Sequence, residues 1–336
     1  MKLIKKITDR ITDGNDTEWN MNIKSFDWVP GVGLYGILKT YECTKDEKYL
    51  NFLIDWADTY LEKAYTQKTV NSTAPLLTVI NLYEITRTDK YLKVCEDIAA
   101  WVITEAPLTR EGGLEHTVTE SEGCFSEQIW ADTLFMSCLF LAKLGMLTNQ
   151  SKYSDFAANQ LKIHHKLLFN KNDGLFYHGW NCEEQNHMSS VYWGRANAWI
   201  IYSTAEMLNL IGDFDNSDEI KENIKLHAEN LIKYQCNDGS FCTIINDADA
   251  YSEASATAGI IAGISLAMKL NVLNDKYDES IEKGISYLKN SISENGDVLN
   301  VSTGTPVMPS PEAYKKIAMC PTLYGQGLAI LALSLI

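Results

Sequence analysis

The sequence predicts an all-α protein, a single domain (1–336) folded as a six-hairpin (α/α)6 barrel, a closed toroid of two concentric helix rings. Three observations predict it. Six strongly apolar helical stretches alternate with six amphipathic ones along the 336 residues. A short phrase recurs where an apolar stretch gives way to an amphipathic one: Thr44-Lys-Asp-Glu-Lys-Tyr-Leu50, Thr86-Arg-Thr-Asp-Lys-Tyr-Leu92, Thr148-Asn-Gln-Ser-Lys-Tyr153 and Leu273-Asn-Asp-Lys-Tyr277. The last stretch, Leu323 to Ile336, stays apolar to its final residue. An open helical solenoid is the alternative, but it would end on a polar cap, whereas an apolar terminal helix is explained by closure against the first repeat.

The elements follow in order. An amphipathic stretch over 2–11 leads to the first apolar one, 30–44, introduced by Trp28-Val-Pro-Gly-Val-Gly-Leu-Tyr35. Pro30 suits a helix start and the glycines a close backbone approach. Next come amphipathic 46–65, apolar 74–86 behind the polar Asn71-Ser-Thr-Ala-Pro75, and amphipathic 88–105. The third apolar stretch, 126–145, organises the rest. Ser126 is a good N-cap, Glu127 sits where the helix dipole favours negative charge, and Gly145 is a natural stop. Two turns inside it lies Asp132, on one helical face with Ile129, Met136 and Phe140. A carboxylate there loses hydration, so its pKa should rise, which is how a carboxylic acid keeps its proton near neutrality. A buried Asp satisfied by a backbone amide or an arginine is the structural alternative. Beyond it lie amphipathic 151–168, apolar 191–210, amphipathic 217–235, apolar 251–269, amphipathic 277–291 and apolar 319–335. The apolar set should be buried on all sides, and the amphipathic set should form an outer layer with one wet face.

Each recurrent phrase reads as a tight helix–helix turn whose Tyr packs back onto the pair. A second phrase alternates with it: Asp13-Gly14, Gly112-Gly113, Asp173-Gly174, Asp238-Gly239 and Asn295-Gly296. These read as turns into short extended or hairpin loops. In a closed toroid the long loops gather at one end of the inner ring. They carry most of the Trp, His and Gly, so that end is the expected site.

Composition narrows the chemistry. Apolar residues make up 46% of the chain, enough for a sizeable core, and the net charge of −15 argues against nucleic acid and anionic membrane surfaces as partners. No stretch approaches 18 uncharged apolar residues, so no membrane span is expected. The opening MKLIKKITDRITDGND lacks the apolar run of a secretory signal. The eight cysteines (43, 95, 124, 138, 182, 236, 242, 320) are scattered and have no zinc-like spacing. They read as reduced thiols, which with the missing signal suggests a cytoplasmic enzyme. There is no Gly-x-Ser-x-Gly, Walker loop or dinucleotide fingerprint, and only His164-His165 stand close together. No metal and no cofactor are expected.

What remains are polar and aromatic residues just before or early in the apolar helices. Trp28 and Asn71 precede two of them, with loop packing and capping as the plain readings. His116 (Gly112-Gly-Leu-Glu-His-Thr117) and His178 (Gly174-Leu-Phe-Tyr-His-Gly-Trp-Asn181) occupy equivalent repeat loops. In Tyr192-Trp-Gly-Arg-Ala-Asn-Ala-Trp199, Tyr192, Arg195 and Trp199 share a face. Arg195 on an apolar ring must either pair with a structural carboxylate or grip an anionic ligand. Glu253 and Ser255 open the fifth apolar helix, Glu253 as a second acid or, in the slightly favoured reading, an anchor between rings. Aromatics beside polar side chains suit a sugar ring. The pattern points to acid-driven chemistry on a sugar-like, anionic ligand.

Trp130-Ala-Asp-Thr-Leu-Phe-Met136, Tyr177-His-Gly-Trp-Asn181, Trp193-Gly-Arg195, Asp238-Gly-Ser-Phe241, Ser252-Glu-Ala-Ser255 and Tyr324-Gly-Gln-Gly327 together resemble glycoside hydrolase family 105. These are the unsaturated rhamnogalacturonyl hydrolases, related to the unsaturated glucuronyl hydrolases of family 88. The resemblance runs from about residue 25 to the end, in the family's order. It implies a six-hairpin α/α barrel and an unusual reaction on unsaturated di- or oligosaccharides left by pectin lyases. The aspartate matching Asp132 protonates C4 of the terminal C4=C5 uronate. A water activated by the same carboxylate adds at C5, and the hemiketal collapses to an open-chain keto-uronate and the neighbouring sugar, often rhamnose. No glycosyl-enzyme forms, so paired carboxylates are not required. The resemblance assigns substrate contacts to His178, Trp193, Arg195 (for the uronate carboxylate or a nearby hydroxyl), His116, Asn71, Trp130 and Tyr35. Extra residues, Glu120 to Phe125, follow the His116 loop. Many relatives carry Asp where this chain has Asn71, which can orient a water but hold no charge. The expectation is an acidic to neutral pH optimum governed by Asp132. Other readings are a non-catalytic sugar-binding barrel, an epimerase using His116 and His178 as facing bases, and an endo-glycosidase with Glu253 as second carboxylate. Aglycone, galacturonyl against glucuronyl preference and oligomeric state stay open.

Overall fold

The recurrent phrases mark where the inner helices end. In the computed structural model, which describes residues 1–119 and 125–336, Lys45, Arg87 and Asn149 close three helices in the left-handed conformation (φ 54°, 55° and 53°). The next helix begins two residues later in each case. The phrase tyrosines Tyr49, Tyr91, Tyr153 and Tyr277 are all buried. Tyr49 donates to Asp9 at 2.9 Å and Tyr91 to Asp58 at 2.7 Å, tying outer helices together.

The helices run α1 (Lys2–Thr12), α2 (Trp28–Thr44), α3 (Glu47–Tyr60), α4 (Pro75–Thr86), α5 (Asp89–Thr104), α6 (Leu139–Thr148), α7 (Ser151–Leu168), α8 (Gly194–Ile211), α9 (Ser217–Leu231), α10 (Ala254–Lys269), α11 (Asp278–Asn290), the short α12 (Pro311–Tyr314) and α13 (Leu323–Ser334). α2, α4, α6, α8, α10 and α13 form the inner ring, each packed on the next and α13 back on α2. The long odd-numbered helices α1 to α11 make the outer layer, so the six-and-six barrel is the architecture observed among the described residues. Closure depends on backbone contact. A Cβ on Gly327 would sit 2.3 Å from the Val32 carbonyl oxygen, and one on Gly36 would sit 2.7 Å from the Gly327 Cα. Only glycines permit that approach.

Four of the five Gly turns behave as read, whereas Asp13-Gly14 leads from α1 into irregular chain without a hairpin among the described residues. Gly112, Gly174, Gly239 and Gly296 all have positive φ. Gly112, Gly174 and Gly296 lie inside short antiparallel pairings: Leu108 with Leu114, β2 (Phe169–Asn170) with β3 (Leu175–Phe176), and Ile292 with Val298. Gly239 lies in a turn where the Cys236 amide donates to the Ser240 carbonyl. Two further ribbons flank the mouth of the ring: β1 (Gln128–Trp130) with β4 (Gly179–Asn181), and β5 (Phe241–Cys242) with β6 (Ser252–Glu253).

The third apolar stretch departs from expectation. Its helical run starts at Asp132, not Ser126, and is π-helical over Leu134–Cys138 before α6. Glu127 has φ 56° and Gln128-Ile-Trp130 is strand. The apolar run hid a strand because β1's partner lies some fifty residues downstream. Asp132 is therefore in the first helical turn, and Ile129 lies on the strand rather than on its helical face. Among the described residues no helix is long and apolar enough to cross a membrane.

Candidate active site

The β1–β4 ribbon builds the centre of the site. Trp130 pairs with Gly179, and the Ala131 amide donates to the His178 carbonyl at 3.0 Å. That register sets the residue before Gly179 against the residue after Ala131. His178 Nε2 lies 3.3 Å from Asp132 Oδ2, with the His178 side chain 1% and that of Asp132 15% exposed. On its other edge, His178 Nδ1 is 2.7 Å from the Tyr314 hydroxyl. Tyr314, on α12, is fully buried.

Asp132 opens onto a cavity of about 340 Å3 lined by Trp19, Trp28, Asn71, His116, Val118, Phe125, Trp130, Met136, Trp193, Arg195 and the 304–306 loop. The N-terminal end of each contributing inner helix delivers its residue to this mouth. Asp27 caps α2 through the Trp28 amide, and Trp28 stacks on Tyr324 of α13 with centroids 4.8 Å apart. His116 stacks on Trp130 at 4.2 Å and 11°, and Phe125 leans on both rings. Of the extra residues, 120–124 lie outside the described residues; Phe125 is part of the wall.

Arg195 and Glu253 form a second buried pair, 3.5 Å apart. The Arg195 Nη atoms donate to Ser255, Ser302, Thr303 and Thr305 as well, and the guanidinium lies between the rings of Trp193 and Tyr324. Glu253 caps α10 through the Ala256 amide and accepts the Ser302 amide at 2.8 Å. It is the anchor between rings, and Arg195's fork is already engaged by it and its neighbours. Of the Arg195 nitrogens, Nε has no partner among the described residues.

That atom belongs to a set. Asp132 Oδ2, Asn71 Oδ1, Trp193 Nε1 and Arg195 Nε are buried with no hydrogen bond among the described residues, and all four residues line the cavity. Orphaned buried polar groups are costly unless a ligand or water meets them. Two donors, one amide acceptor and one carboxylate around aromatic walls form a receptor for a polar, ring-shaped ligand.

The electrostatics correct the expected rise at Asp132. Burial pushes its pKa up, but the His178 contact, the charges of His178 and His116 and the Arg195 guanidinium outweigh it and hold the carboxyl below the usual range. The wheel showed only apolar neighbours on Asp132's own helix. Its ionic neighbours arrive from other repeats. Burial also lowers His178 below the ordinary histidine value, against the pull of Asp132, and takes His116 down to about 4. Asp132 and His178 are best treated as one coupled pair, both held below their ordinary values.

The profile of Glycosyl Hydrolase Family 88 matches residues 3–335. The chain belongs to that family. It is 35% identical over 308 residues to the unsaturated rhamnogalacturonyl hydrolase YesR of Bacillus subtilis, covering 91% of this chain and 88% of that one. Two solved structures described as possible members of glycoside hydrolase family 105 superpose closely. The Salmonella enterica protein has TM-score 0.93, 31% identity and coverage of 99% of this chain and 92% of its own. The Klebsiella pneumoniae protein has TM-score 0.92, 31% identity and coverage of 99% and 91%.

Within this family 88 barrel the structure brings Asp132, His116, Asn71, Trp130, Trp193 and Arg195 to one cavity, with His178 directly behind Asp132. It sets Tyr35 apart. That side chain is seven residues along α2 from Trp28, about 10 Å deeper. Its hydroxyl meets Tyr202 at 3.3 Å, and it lines a separate polar well with Lys39 and Glu206. Sequence reasoning passed over Trp19, Phe125 and Tyr314. Tyr314 sits in a four-residue helix outside both recurrent phrases; only the Ser310-Pro311 helix start marked it.

Proposed function

We propose that this chain hydrates the C4=C5 bond of a terminal unsaturated uronic acid, releasing the sugar to which it is linked. An unsaturated galacturonyl unit on rhamnose, the substrate class in YesR's name, is the favoured substrate. The observation that carries the proposal is that Asp132 is the one carboxylate among the described residues lining a cavity edged with unmet hydrogen-bonding atoms. Hydrolysis with paired carboxylates needs a second acid across the ring. Glu253, the candidate for it, is consumed by Arg195, Ser302 and the α10 amide. An epimerase would need His116 and His178 facing each other across the cavity, but His178 lies behind Asp132, outside the lining.

In this mechanism Asp132, protonated in the substrate complex, gives its proton to C4. The developing cation at C5, stabilised by the ring oxygen, takes up a water whose proton returns to the same carboxylate. The hemiketal then opens and expels the aglycone. Trp193 Nε1 and Arg195 Nε are placed to donate to the uronate, and Asn71 Oδ1 to accept from a hydroxyl or hold the water. Bound uronate adds negative charge beside Asp132 and excludes water, both of which raise its pKa in the complex. An acid held low in the free enzyme thus becomes a competent donor once substrate is bound. The reading also places the reaction in the cytoplasm, on imported di- or short oligosaccharides, in line with seven free cysteines among the described residues.

The test is loss of the conjugated uronate's ultraviolet absorbance on a lyase-generated rhamnogalacturonan disaccharide, with unsaturated glucuronyl substrates beside it. Wild type removes the absorbance, Asp132→Asn does not, and heavy water leaves deuterium at C4. No loss with wild type on either substrate class overturns the proposal. Loss that survives in Asp132→Asn removes Asp132 from the acid's role.

A further inference from the structure

Cys236 and Cys242 flank the Asp238-Gly239 turn, and their sulfurs are 3.4 Å apart. Neither lines the catalytic cavity. The turn that holds them is fixed. The Gly239 amide donates to the Cys236 carbonyl and the Cys236 amide to the Ser240 carbonyl, both at 2.9 Å. Gly239 has φ 90°, and a Cβ there would fall 2.2 Å from the Lys283 carbonyl oxygen of α11. Cys236 is half-buried, whereas Cys242 is buried on β5.

The strand that carries Cys242 is also a wall support. Residue 242 pairs with Ser252 and residue 241 with Glu253, the Arg195 anchor. On the opposite edge the Gly194 amide donates to the Thr243 carbonyl at 2.8 Å, the Ile245 amide donates to the Tyr192 carbonyl at 2.9 Å, and Ile244 bridges Trp193. The Cys242 carbonyl oxygen packs so closely on Gly194 that a Cβ there would lie 2.5 Å from it. Cys242 therefore sits between the segments that present Trp193 and Glu253.

We propose that Cys236 and Cys242 form a redox-active dithiol, a site for exchange with small disulfides of the glutathione class, whose closure displaces the strand supporting Trp193. The Cys236 thiolate attacks the small disulfide, forming a mixed disulfide and releasing one thiolate. Cys242, giving up its proton to solvent, then attacks the Cys236 sulfur, forms the internal bridge and expels the second thiolate. The protein loses two electrons and two protons, and the small disulfide becomes two thiols. A disulfide is about 2.05 Å long, so closure draws the sulfurs together by about 1.4 Å and pulls Cys242 away from its seat on Gly194. A shift of that order beside a binding wall is enough to change turnover about tenfold. The covalent step stands whatever reaction the barrel performs; only the effect on turnover rests on the active site proposed above.

The experiment equilibrates the intact enzyme with oxidised and reduced glutathione at several ratios, traps free thiols and maps the peptides. The wild-type 236–242 segment should become lighter by two hydrogens, reversibly. Cys242→Ser should instead accumulate a glutathione adduct on Cys236, and Cys236→Ser should form no bridge. A segment that stays a dithiol while Cys43 or Cys320 is modified overturns the site. Turnover of the unsaturated disaccharide should fall about tenfold on oxidation of wild type, return with dithiothreitol, and stay unchanged in Cys236→Ser. A bridge that forms with no change in turnover or in Trp fluorescence overturns the coupling. Absence of turnover in the reduced enzyme counts against the hydrolase reading and leaves the dithiol to be judged on the peptide map and fluorescence.

Discussion

Two buried acid–base pairs stand side by side in this barrel, and they are built oppositely. Glu253 and Arg195 are saturated: the carboxylate accepts from Ser255, Ser302 and the Ala256 amide, and the guanidinium is shared among five residues. Asp132 and His178 touch at 3.3 Å, yet Asp132 Oδ2 and His178 Nε2 have no aligned hydrogen bond. A saturated pair holds structure, because every charge has found its final partner. An unsaturated pair beside a cavity retains its affinity for something not yet bound. The difference favours Asp132 as the proposed acid more than burial does, since Glu253 is the more buried of the two.

The comparison can be broken at either pair. Asp132→Asn should cut turnover roughly a hundred- to ten-thousand-fold while leaving Tm within about 2 °C; a large loss of Tm would make Asp132 structural. Glu253→Ala should do the reverse. Stranding a buried guanidinium costs roughly 3–5 kcal/mol, read as a lower denaturation midpoint. A stable Glu253→Ala protein with selectively lost turnover would return Glu253 to the chemistry.

The acid limb of stability sharpens the contrast. Burial holds His116 and His164 at about 4 and His165 at about 3, below the ordinary 6.5, and His227 is held low by the same cause. The unfolded chain therefore binds protons that the folded one refuses. This contribution is complete above about pH 6.5 and is lost as pH falls toward 4. Asp132, also depressed, adds in the same direction at lower pH. Denaturation midpoints that stay flat from pH 7 to pH 4 would contradict it. The smallest effect is expected at Tyr314→Phe, which removes the hydroxyl on His178 Nδ1. Turnover should drop roughly threefold to tenfold. The alkaline limb of kcat/KM should move to lower pH, because the hydroxyl accepts from protonated His178. A move to higher pH would mean that Tyr314 donates instead.

Much of this was readable from the chain. The Lys-Tyr phrases and the Gly turns punctuate it, and both follow from local backbone chemistry: a left-handed helix end at Lys45, Arg87 and Asn149, and positive φ at Gly174 or Gly239. Local signals travel well from sequence to structure. The start of the third inner helix did not, because three strand residues inside an apolar run are indistinguishable from helix until Gly179 arrives to pair with Trp130. The direction of the Asp132 shift was hidden for the same reason, as its basic neighbours His116, His178 and Arg195 come from three other segments. Tyr35 looked equivalent to Trp28 in a motif, but a helix separates residues by depth as well as by face. Asn71, Trp193 and Arg195 reach the cavity because each precedes or opens an inner helix, and His116 because its loop leads into β1; that end of the ring is where the cavity lies.

Trp28, in the first inner helix, rests on Tyr324, in the last, and Tyr324 also forms one face of the Arg195 sandwich. A ribosome delivers these partners almost three hundred residues apart. A nascent chain that has finished four or five hairpins still lacks the Tyr324 ring against which Trp28 and Arg195 rest. Those two residues gain their support only when α13 packs against α2, so a truncated or stalled product is expected to lose turnover.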